Sequence, residues 1–123
     1  MRKRWFEVKD LRNNGACERT IDQFTKLFGC DKVRVTKKNA RKAYFMPIDT
    51  YGYEFLARGS KAQAEFMRKK RAIVGKYERA IDRSRDALDE DAFPKKCMKL
   101  RAKMHRRIAV VWARCYNKYG PRK

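Results

Sequence analysis

The chain has 123 residues, with 34 Lys+Arg against 14 Asp+Glu, a formal net charge of +20 and a sequence pI of about 10.3. Hydrophobic residues at 43 % and aromatics at 12 % exclude a disordered polycation, and no run of about 18 apolar residues exists to cross a membrane. A net charge this large exceeds what solubility requires, so composition points to a polyanionic partner.

One domain is expected at this length, with an α/β half over 1–59 that carries a basic hairpin and a helical hairpin over 60–123. Arg4 to Val8 reads as a short strand, and Asn13-Asn14-Gly15 as a turn. Ile21, Phe24, Leu27 and Phe28 form one apolar stripe, which predicts a helix over Glu18–Phe28. Gly29 stands where a left-handed C-terminal cap belongs. Lys32 to Thr36 alternates, with Val33 and Val35 inward and Arg34 outward, and predicts a half-buried strand. Lys37 to Arg41 is expected as the loop of a hairpin. Its return strand would be Ala43 to Ile48, with Pro47 marking an edge. Tyr53 to Leu56 is a third strand candidate.

The second half is helical by its spacing. Phe66, Met67, Ile73, Val74, Tyr77, Ala80, Ile81, Ser84 and Leu88 keep intervals of three and four, interrupted by Lys70. Ser60 is an N-cap candidate. Gly75 inside this helix suggests a close helix crossing. The helix is expected to end in Asp89-Glu90-Asp91. A last helix starts near Pro94, with the acidic triplet ahead of its positive dipole end. Its expected core stripe is Cys97, Leu100, Met104, Ile108, Val111, Cys115 and Tyr119, with Trp112 beside it. The predicted fold class is therefore α+β: an N-terminal strand and helix, a basic β-hairpin or small antiparallel sheet, and two long C-terminal antiparallel helices.

The charge is clustered. Residues 1–91 hold 23 basic and 14 acidic residues, a net of +9, and residues 92–123 hold the remaining +11 with no acid at all. A second acid-free block runs from Lys32 to Ile48. Solvated helices usually mix signs, because like charges at i,i+4 repel; a polyanion offsets that repulsion, and neutralising phosphates releases counterions. On the final helix Lys95, Lys96, Lys99, Lys103, Arg106, Arg107 and Arg114 fall in one sector opposite the core stripe. On the preceding helix Arg68, Arg79 and Arg83 share their face with Glu65 and Asp86, as on an ordinary solvated surface. The expected phosphate contacts are thus the seven cations of the final helix together with Arg34, Lys37, Lys38, Arg41 and Lys42. Tyr44 or Phe45 is a candidate for stacking on unpaired bases.

A helix-turn-helix over the same stretch is the rival reading, with Gly29 at the turn and Lys32, Arg34, Lys37 and Lys38 on the second helix. The β-branched alternation Val33-Arg34-Val35-Thr36 opposes it, and Lys38 would face the core. Catalysis has little support. His105 is the only histidine, Asp49 and Glu54 lack the lysine that accompanies a metal-nuclease pair, and no Gly-rich phosphate loop occurs. Cys17, Cys30, Cys97 and Cys115 form no C-x-x-C pair, so neither a zinc site nor a redox motif is expected. No cofactor is implied. Met1-Arg2-Lys3-Arg4-Trp5 has a signal-like basic flank with no apolar stretch behind it, which implies a cytoplasmic chain, in the host cytoplasm if viral.

These residues imply a non-catalytic protein that binds nucleic acid, RNA or a ribonucleoprotein before duplex DNA. The alternative is a phage or mobile-element product that inhibits a nucleic-acid machine (a polymerase, a ribosome or a CRISPR effector) by occupying its nucleic-acid or acidic surface. A small basic ribonuclease is the third reading.

Overall fold

Strand β1 (Trp5–Glu7) opens the computed structural model, which describes residues 4–13, 15–42, 56 and 60–120. The strand does not continue through Val8. Asp10 accepts a hydrogen bond from the Glu7 amide at 2.9 Å, and this side-chain cap turns the chain into helix α1 (Val8–Asn13). The expected helix follows as α2 (Glu18–Phe28), with Ile21 and Phe24 buried. Gly29 ends it at φ 69°, its amide donating to the Thr25 carbonyl at 2.8 Å.

Strand β2 (Lys32–Arg34) pairs antiparallel with β1, in the register Trp5 to Arg34, Phe6 to Val33 and Glu7 to Lys32. The small antiparallel sheet is therefore present, with Val35 buried and Arg34 exposed as the alternation predicts. The hairpin loop is corrected. Lys37–Lys42 is a helix, α3, not a turn. Thr36 explains the difference, because its Oγ1 accepts the Asn39 amide at 3.0 Å as an N-cap. The strand at 32–34 also removes the helix-turn-helix reading, whose second helix would begin there. The return strand at 43–48 and the third strand at 53–56 lie outside the described residues, Leu56 excepted, and Leu56 is fully buried.

Two 28-residue helices complete the chain, α4 (Ser60–Ala87) and α5 (Ala92–Tyr119), packed against each other. The acidic triplet lies between them rather than on α4. Asp89 Oδ1 accepts the amides of Asp91 and Ala92 at 3.0 and 2.7 Å, so α5 starts two residues before Pro94. Gly75 brings no helix into close contact. A Cβ placed there meets only the flexible end of Arg79, at 3.4 Å.

The core gathers on the second half of α5. Phe6 sits edge-on to Trp112 and Tyr116, with ring centroids 5.5 and 5.7 Å away, and tilts against Phe24 at 6.0 Å. Trp112 and Tyr116 stack at 4.8 Å. The expected stripe is therefore off-centre. Cys97, Ile108 and Cys115 are buried as expected, but so are Ala109, Val110, Trp112, Ala113 and Tyr116. This end of α5 is covered on nearly all sides because α4, the sheet and α3 meet around it. Asn117 fastens the seam: its Oδ1 accepts the Arg4 amide and its Nδ2 donates to the Val35 carbonyl, both at 2.8 Å. At Gly120 the backbone takes φ 85°, a conformation that favours glycine, and a Cβ there would also fall 2.9 Å from the movable Arg4 guanidinium.

Two substitutions test this account in urea unfolding. Asn117→Ala leaves two backbone groups without partners and is expected to cost about 1–2 kcal/mol. Gly75→Ala is expected to stabilise by about 0.5–1 kcal/mol, since no neighbouring helix obstructs it and Ala is the better helix former.

Candidate nucleic-acid interface

Helix α5 turns 100° per residue, and its two halves use one sector differently. Lys95, Lys99, Arg106, Val110, Ala113 and Asn117 fall within about 60° of one another. The first three are exposed cations, whereas Val110 and Ala113 are buried and Asn117 is half-buried. What covers the later turns is the segment that leads into α3. Val35 is bonded to Asn117, and α3 lies against α5.

Helix α3 has its own division of faces. Ala40 is buried, while Lys37, Lys38, Arg41 and Lys42 are exposed and share a sector about 140° wide. The two basic blocks of the sequence are therefore neighbours in space. The α5 ridge of Lys95, Lys96, Lys99, Lys103 and Arg106 precedes, on one helix, the turns against which the α3 segment packs, and α3 exposes four more cations. Arg114 is exposed on the same broad side of α5. Arg107 leans towards α4, with its guanidinium 5.9 Å from the Tyr77 ring centroid. Lys42 lies 5.6 Å from the Phe28 ring.

The four lysines of the ridge, Lys95, Lys96, Lys99 and Lys103, make no ion pair among the described residues. Like-charged pairs at 95/99, 99/103 and 103/107 together cost α5 about 1 kcal/mol. Lys95 and Lys96 also stand near the positive end of the helix dipole. Five of the described carboxylates are engaged elsewhere: Glu7 with Lys9, Glu18 with Arg12, Glu65 with Lys69 and Lys118, Asp82 with Arg85, and Asp89 in its cap. Among the described residues, Lys37, Lys38, Lys95, Lys96, Lys99 and Lys103 make no ion pair.

Two features escaped the sequence reading. Thr36 as the cap of α3 was legible in Thr-x-x-Asn. The second feature is Trp5, exposed on the outer face of β1 with Arg34 and Lys32 over its ring, at 4.4 and 4.8 Å from the centroid. Its neighbourhood follows from the strand register, which composition does not reveal. The cysteines are dispersed, with Cys17 and Cys30 exposed and Cys97 and Cys115 buried. Among the described residues no cluster of His, Cys, Asp and Glu has the makings of a metal site, and no helix is long and apolar enough to cross a membrane. The stacking candidates Tyr44 and Phe45, and the acids Asp49 and Glu54, lie outside the described residues. Comparison with protein-family models, with curated proteins and with solved structures finds no match.

One carboxylate braces the helix pair that carries the ridge. Glu65 on α4 accepts a hydrogen bond from Tyr119 and lies 3.2 Å from the Lys69 ammonium and 3.4 Å from that of Lys118. The Tyr119 bond and the two cations lower its pKa from 4.5 to about 2. A depressed carboxylate contributes stability above its unfolded pKa and loses it on protonation, so this contribution is complete above about pH 4.5 and disappears towards about pH 2. Glu65→Gln is expected to lower the unfolding free energy measured in urea at about pH 7 by roughly 1 kcal/mol, and to shrink the difference from the parent in acid.

Proposed function

We propose that this chain is a non-catalytic nucleic-acid-binding protein that holds the phosphate backbone with the α5 ridge and α3. The observation that carries the reading is the row Lys95, Lys96, Lys99 and Lys103 on α5, which makes no ion pair among the described residues, with the exposed cations of α3 on the neighbouring helix. Such a row keeps a repulsive cost until a polyanion lies along it, and counterion release then drives association. Contacts of this kind position a nucleic acid without reading its bases, so shape supplies the selectivity. RNA or a ribonucleoprotein suits the surface better than a duplex DNA site. The six residues of α3 are short for a groove-reading helix, and its one buried face is spent on α5.

The test is fluorescence-anisotropy binding to single-stranded RNA, duplex RNA and duplex DNA across a salt series. Binding to an RNA is expected to persist at about 150 mM salt, with log K falling linearly in log salt. Replacing Lys95, Lys96, Lys99 and Lys103 together by Gln is expected to make that slope shallower by about three, at an unchanged circular-dichroism spectrum. An unchanged slope removes α5 from the interface. Weak, equal binding that vanishes at that salt overturns the reading and turns attention to an acidic protein surface.

A further inference from the structure

We infer that Trp5 is a stacking platform for an unpaired base of a single-stranded nucleic acid, with Lys32 and Arg34 beside it to take the neighbouring phosphates. The inference rests on the nucleic-acid reading above and specifies its substrate as unpaired strand.

The strand geometry sets the platform. Successive residues of β1 point to opposite faces, so Phe6 enters the core and Trp5 stands out of it, 44 % exposed. Among the described residues the other large exposed hydrophobics are Leu88 and Met98, both near the α4–α5 connection. Trp5 is the only aromatic of the three. Its backbone is held firmly: the Tyr116 hydroxyl donates to the Trp5 carbonyl at 3.2 Å, and the Val35 amide donates to the Arg4 carbonyl at 2.8 Å. A ring on so fixed a mount loses little freedom when a base settles on it.

Charge on this face favours the same ligand. Arg34 is the register partner of Trp5, and Lys32 lies two residues away on the same face of β2. Glu7 shares the outer face of β1 but is paired with Lys9 at 3.4 Å. A cation–π contact at an exposed ring is worth little, so a base can displace Lys32 from the Trp5 ring, and both cations of this face stay within reach of its phosphates. Arg34 is followed after two residues by Lys37, the first of α3. A strand that leaves Trp5 in that direction meets the cations of α3 next.

The chain has two tryptophans, and the other, Trp112, is only 5 % exposed, so emission separates them. The probes are oligouridine and an abasic strand with the same number of phosphates, each titrated into the full chain. Oligouridine is expected to bind about tenfold more tightly than the abasic strand and to quench tryptophan emission. In Trp5→Ala the tenfold gain and the quenching both vanish, while abasic-strand binding stays at the parent level. Trp5→Leu, which keeps apolar bulk without the ring, is expected to match Trp5→Ala. Equal binding of the two probes with unmoved emission overturns the platform and leaves the phosphate-binding reading in place, as does a gain that survives in Trp5→Leu. Failure of both probes at about 150 mM salt overturns the underlying reading.

Discussion

Phe6 packs edge-on against the stacked pair Trp112 and Tyr116, and that contact joins the two ends of the chain. The strand carrying Phe6 cannot form its ladder alone. β1 and β2 have three residues each, and a two-stranded sheet of that size is marginal in water without a packed face. The aromatic cluster supplies that face, and the hydrogen bonds of Asn117 and Tyr116 set its direction. Once β1 is seated, β2 follows by register, Val35 reaches Asn117, and Thr36 starts α3 against α5. The position of every cation on β2 and α3 therefore depends on three aromatic rings and one amide.

The same arrangement explains how a face with so much charge is tolerated. Native stability is small beside its opposing contributions, so about 1 kcal/mol of like-charge repulsion along α5 matters. The chain keeps that repulsion away from its best packing. The ridge residues precede Ile108, and the aromatic cluster follows it. Among the acids, Asp10 and Asp89 serve as caps, Glu65 braces the α4–α5 seam, and Glu7, Glu18 and Asp82 pair with other cations.

Much of this was legible in the sequence, and what was not has physical causes. Helix α2 showed itself by one stripe and a terminal glycine, both local features. The long helices showed themselves by periodicity sustained over many turns. Helix α3 did not, because Ala40 is its only buried residue and its identity rests on the Thr36 cap. Helix α1 was lost to the adjoining strand, since Val8 fits both patterns and the Asp10 cap decides. The α5 stripe was drawn too narrow because periodicity assumes the same neighbours along the whole helix. Ala109, Val110 and Ala113 are small or medium apolar residues with no pattern of their own, and they are buried by elements distant in sequence. For the candidate interface, the absence of acids along α5 was visible directly, whereas its junction with α3 and the setting of Trp5 needed the sheet register.

Between Lys70 and Arg107 only Ile81 and Cys97 are buried. The outer part of the α4–α5 hairpin is thus a cantilever. It is clamped at the end where the sheet and α3 sit, and its free end is closed by the Asp89 turn. The α5 stretch from Ala92 to Arg107 reaches about 24 Å from that clamp. A beam with so slender a core is the easier part of the fold to bend, and on the nucleic-acid reading proposed above it would let the row of lysines follow the curvature of a bound strand. On that reading the clamped end would fix where contact begins, and the free end would accommodate where it leads.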